Sequence, residues 1–180
     1  MNADKTRWEK IDGLLRRSER TQIECRAAAA RQIADARFKF PSAEFPAYKT
    51  FVNVPDVTMT VKVGDADLVP DIVVIEHPAS GQPVVRMAVI VAAPERVTVA
   101  EAKERWAPIA SIPGVTLFVY VPAGYADEAK RVCAEAKIEP EGFRTWRNTP
   151  MGFEIADVGE AHSAVRGLIP KFARRALGVR

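Results

Sequence analysis

The sequence predicts a mixed-sheet α/β domain, and three observations predict it. Hydrophobic spacing changes from helical to period 2 after residue 40, strand-like runs then alternate with helical stretches, and Val84–Ala92 is apolar on both faces apart from Arg86. A chain of 180 residues, 48% of them hydrophobic, can bury one substantial core. No internal repeat or low-complexity linker divides it. The expected organisation is a helical extension over 1–40 and one domain over 41–180.

Residues 4–38 read as one long helix. Trp8, Ile11, Leu15, Ser18, Gln22, Cys25, Ala29, Ile33 and Ala36 recur three and four apart, a stripe that is apolar at its start, polar at Ser18 and Gln22, and small beyond. Small residues suit close approach to a sheet or to a partner helix. Pro41 and Pro46 forbid its continuation. Thr58, Thr60 and Lys62 alternate with Met59, Val61 and Val63, the pattern of a half-exposed strand. The turn GDADL leads to a strand at 71–76, a loop through Pro78–Gly81 and the buried strand at 84–92. Thr98 and Glu101 have the spacing of a capping box, so a helix starts there and runs to about Trp106. A strand at 115–121 follows, then a helix with Ala129, Val132, Cys133 and Ala136 on one face. A hairpin, FRTWRN–TPMG–FEIADV, precedes a terminal helix with Val165, Leu168, Ile169, Phe172 and Ala176 at helical spacing, kinked or divided at Pro170. The strands at 58–63, 71–76, 84–92, 115–121 and 142–147 are expected to share one sheet.

Several function classes drop out on composition. The first ten residues are charged and lack an apolar segment, so no secretory signal is expected, and no apolar run is long enough to cross a bilayer. Cys25 and Cys133 lie far apart with no CxxC or Cys/His cluster, which argues against zinc and against a disulfide framework. A cytoplasmic protein without membrane contact is the simplest expectation. His77 and His162 have no triad pattern around them, and Asp65 and Asp67 suit a turn better than a calcium loop. Trp106 reads as core, whereas Trp146, between Arg144 and Arg147, reads as exposed on a strand.

The net charge of +3 is unevenly placed: after Glu160 no acid remains, while Arg166, Lys171, Arg174, Arg175 and Arg180 follow. Arg144, Arg147, Lys171, Arg174 and Arg175 are therefore the candidate phosphate contacts, set against the alternative that they only solvate the surface. Once one face of the terminal helix is tied to the core, the remaining cations suffice for weak, sequence-independent nucleic-acid binding.

"LVPDIVVIEHP", with the helix–meander–helix–strand order around it, resembles the PD-(D/E)XK nuclease superfamily of restriction-endonuclease-like proteins, from about Phe45 to Val158. "APERVTVAEAKERWAPIA" and "GVTLFVYVPAGYADEAKRV" are similar to the segments that follow the third strand in small bacterial relatives. The resemblance implies a restriction-endonuclease-like mixed sheet flanked by helices. It also implies a site in which a strand-opening Asp and the acid of an E-x-K motif hold a divalent cation, with the lysine beside the nucleophile. Hard Mg²⁺ wants carboxylate oxygens, and period 2 sets the acid and the lysine on one face.

Asp71 matches the strand-opening Asp. Aligned back from "APERVT", the acid and lysine positions fall on Ile90 and Ala92, and a shift of one gives Val89 and Val91. None of these binds metal or moves a proton. Asp71 then reads as a remnant, or merely as a strand cap. Glu95 and Lys103 are the rescue candidates, with Glu76 weighed and placed on the opposite strand face. The expected function is a catalytically degenerate, cofactor-free interaction subunit, with a protein partner or self-association through the N-terminal helix and weak nucleic-acid contact. The alternative is an active Mg²⁺-dependent nuclease with migrated catalytic residues.

Overall fold

The structure, a computed structural model, describes residues 21–150 and 152–158. Helix α1 is helical over 21–37, and its buried positions are Ala27, Ala29, Ala30, Ile33 and Ala34. Of the expected stripe Ala29 and Ile33 are buried, whereas Gln22, Cys25 and Ala36 face outward. Four small residues on a shared face let the helix axis approach the sheet closely, so the alanines at 27, 29, 30 and 34 set the orientation.

The central sheet has six strands in the order β1 (Tyr48–Val52), β4 (Ile72–Glu76), β5 (Val84–Val91), β6 (Thr116–Pro122), β7 (Gly142–Thr149) and β8 (Gly152–Val158). The β1–β4, β4–β5 and β7–β8 pairs are antiparallel, and β5–β6 and β6–β7 are parallel. The two parallel steps are made by helical crossovers, as parallel strands require. Strand β5 is interior, which accounts for a run that is apolar on both faces.

One strand expectation is corrected. Residues 58–63 do not join the sheet: only Val61–Val63 (β2) is extended, and it pairs with Ala66–Leu68 (β3) as a separate hairpin. Gly64 takes the left-handed conformation its two-residue turn demands, at φ +59°, and Asp65 and Asp67 sit exposed around it, with Lys62 pairing with Asp67 at 3.1 Å. The edge place is taken by β1, whose YKTFV lies between Pro46 and Pro55, where no strand is expected.

The crossover from β5 to β6 holds a 3₁₀ turn (Pro94–Arg96), α2 (Val99–Glu101), a π-helical turn (Ala102–Trp106) and α3 (Ala107–Ala110). Thr98 Oγ1 accepts the Glu101 N–H at 3.2 Å, the expected N-cap. In the π turn the Ala107 N–H reaches back to the Ala102 carbonyl, which places Trp106 fully inside. Helix α4 (Ala126–Glu135) buries Ala129, Val132 and Cys133, as its spacing predicts.

Alternation on the strands makes two cores. Ile72, Val74, Met87, Val89, Val91, Phe118 and Tyr120 face α1. Ala88, Ile90, Ala92, Leu117, Val119 and Val121 face α2 to α4. Residues 1–20 and 159–180 lie outside the described residues, and with them Trp8, Ile11, Leu15, His162, Pro170, Lys171, Arg174 and Arg175. Among the described residues no helix is long and apolar enough to cross a membrane.

Candidate functional site

The carboxylate of Asp71 sits at the bend that opens β4, only 2% exposed. Its backbone is pinned on both sides: its N–H donates to Val89 O at 2.9 Å, and its carbonyl accepts the Asn53 N–H at 2.8 Å. The buried Asn53 amide adds donations to Met59 O at 2.7 Å and Pro70 O at 2.8 Å, and accepts the backbone N–H groups of Thr58 and Met59. Asn53 therefore holds the Pro70–Asp71 bend in place. The sequence offers no local signal for this role.

Both carboxylate oxygens are engaged. One accepts the Val91 N–H at 2.7 Å, and the other lies 3.2 Å from the Arg26 guanidinium of α1. Asp71 thus caps the end of β5, supplying an acceptor to a strand donor just past the start of β4. Burial pushes its pKa up. Arg26, the Val91 N–H and, more weakly, Arg105 and Arg96 oppose that rise.

A cleft of about 250 Å³ lies beside this pair, lined by Gln22, Ile23, Arg26, Ala93, Glu95 and Arg96. Glu95 is exposed on its rim. Arg96 reaches Glu101 at 3.3 Å, while Arg105 meets the same carboxylate at 2.6 Å and donates to Val69 O at 3.1 Å. Three arginines therefore stand near three acids, Asp71, Glu95 and Glu101, and the local charge is close to balanced. A balanced cluster favours neither a bare divalent cation nor a phosphate. No group of three or more metal-ligating side chains occurs among the described residues.

Of the other sequence-derived positions, Val89 and Val91 meet Asp71 only through their backbones. Ile90 and Ala92 are 1% and 2% exposed and belong to the core under α2 to α4, while Val89 and Val91 belong to the core under α1. Lys103 is exposed on the π turn, and Glu76 is held by Arg86 at 2.6 Å at the far end of β4. His77 is exposed. The residue that reading along the chain missed is Arg26. Nothing in its surroundings marks one arginine among many, and only the docking of α1 brings it to Asp71.

A second polar cluster lies on β6 to β8. Arg144 is buried, donates from Nε to Asp157 at 2.6 Å, and stacks over the rings of Phe118 and Tyr120. Arg147 is exposed and pairs with Glu154. Residues three apart on a strand point to opposite faces, so Arg144 and Arg147 do not share a surface. Trp146 is half-buried and stacks on Phe153 instead of standing exposed.

No family model, curated protein or solved structure matches this chain.

Proposed function

We propose that this chain is a non-catalytic interaction subunit built on a restriction-endonuclease-like core whose metal site is closed by an arginine. The observation that carries this reading is the Asp71 carboxylate, which spends one oxygen on Arg26 and the other on the Val91 N–H. The positions that would complete an E-x-K motif are Ile90 and Ala92, both buried under helices. A lone engaged carboxylate offers a hydrated Mg²⁺ too few oxygens, and an Ile–Ala pair moves no proton. The order of elements supports the fold assignment: a helix, the antiparallel β1–β4–β5 set, a helical crossover and the parallel β6.

The interaction part of the reading rests on the apolar Trp8–Ile11–Leu15 stripe, which suits self-association or a protein partner. Contact with nucleic acid is weak and charge-driven in this reading, carried by Lys171, Arg174 and Arg175, because Arg144 is buried and Arg147 already has a carboxylate. One observation favours a second reading, an Mg²⁺-dependent nuclease with migrated residues: Glu95 lines the cleft beside Arg26. Light scattering of the full chain and of a chain starting at residue 21, with titration of a labelled duplex at low and physiological salt, separates the possibilities. The expected result is an assembly that shrinks on truncation, with duplex binding lost at physiological salt. A monomer that binds duplex tightly and selectively at physiological salt refutes the proposal.

A further inference from the structure

Over its described residues, α1 presents mostly small side chains to the sheet. The buried side chains of α1 are four alanines and one isoleucine, whereas the opposite layer sets Trp106, Ile109, Val132 and Cys133 against the sheet. Each alanine removes a single methyl from water, so α1 gains less from burial per residue. Beside Arg26 the cleft of about 250 Å³ remains between α1 and the Ala93–Arg96 stretch. The Arg26 Nε is itself buried without a hydrogen-bond partner. An ion pair with a buried carboxylate joins this alanine-rich helix to Asp71, the residue just before β4.

We infer that the Arg26–Asp71 pair is a latch that docks α1 on the sheet, and that α1 opens as a unit when the pair is broken while the opposite layer stays folded. The groups facing Asp71 are Arg26 from α1, the Val91 N–H from β5, Arg96 from the 3₁₀ turn and Arg105 from the π turn. Opening bares the apolar face of Ile72, Val74, Val89 and Val91. This inference does not depend on the nuclease-like reading.

Two thiols on opposite faces test it. Cys133, buried in α4 with a pKa pushed up to about 12 by desolvation, reports global opening. Ala30→Cys, on the buried face of α1 in a Cys25→Ser background, reports release of the helix. Arg26→Ala is expected to speed labelling at position 30 by about tenfold or more and leave Cys133 unchanged, with Arg26→Lys giving a smaller rise. Equal acceleration of both thiols, or of neither, overturns the latch. Hydrogen exchange of amides 27–36 against 129–135 in Arg26→Ala reads the same difference without an introduced thiol, and the same two outcomes decide it.

Discussion

The two sides of the central sheet are closed by different physics. On one side α2 to α4 and the π turn press large side chains, Trp106 foremost, into a layer of Ala88, Ile90, Leu117 and Val119. On the other, α1 brings four alanines, Ile33 and the Arg26–Asp71 pair, and aromatic rings do much of the filling: Phe38 packs edge-on to Phe118 and Tyr120, with centroids 5.3 and 6.4 Å away. Thr50 Oγ1 also donates to Phe38 O, tying the end of α1 to β1. The difference gives the Asp71 carboxylate a structural role. Its partner Arg26 belongs to the helix whose own buried side chains are mostly alanines, and there an ion pair can specify the helix position.

The largest expected effect comes from placing an acid and a lysine at positions 90 and 92. Ile90→Glu with Ala92→Lys inserts two charges into the better-packed side, and the chain is expected to lose several kcal/mol and fail to fold before it gains a metal. A folded double variant with tight Mg²⁺ binding, seen by circular dichroism and calorimetry, would break the comparison. Next comes Trp106→Ala, expected to cost about 3–5 kcal/mol by urea unfolding, against about 2–3 kcal/mol for Ile33→Ala on the α1 side. Equal costs would mean that the two sides are held alike.

A smaller effect follows from pH. Burial raises the Asp71 pKa in the folded chain above its value in the unfolded one. The folded state therefore holds that proton more tightly, and this group's contribution to stability is fully present below the ordinary aspartate range and lost as pH rises through the folded value. The stability difference between wild type and Asp71→Asn is expected to move against wild type as pH rises above the ordinary aspartate range, measured by urea midpoints. A flat difference would mean that Asp71 titrates normally. The smallest effect belongs to Arg147→Ala, whose pair with Glu154 is exposed on both partners. Its change is expected to stay within about 0.5 kcal/mol.

Much of the better-packed side was legible in the sequence because its signals are local. The apolar run of β5, the Thr98 cap and the 129–132–133 spacing of α4 each stand within one element. The α1 side was less legible. Its helix was readable, but its orientation depends on which small residues meet the sheet: of the expected Cys25, Ala29, Ile33 and Ala36, only Ala29 and Ile33 are buried. Strand β1 was hidden by the prolines around it, and residues 58–60 alternate like a strand although only Val61–Val63 pairs, in a hairpin that covers Val73 and Ile75. At the site, Asp71 just before a strand and the apolar run of β5 were readable by position. Arg26 and Asn53 were not, because both act across long stretches of chain on a bend whose location only the tertiary fold sets.

The central claim is that Asp71 serves a strand end and an arginine and leaves no catalytic metal site. The most direct measurement incubates the full chain with labelled single- and double-stranded DNA and RNA in Mg²⁺ or Mn²⁺ and follows cleavage over time. The account predicts no turnover under any of these conditions. Cleavage that requires the divalent ion and disappears in Asp71→Ala would contradict it, and loss of that cleavage in Glu95→Gln or Lys103→Ala would identify the migrated site.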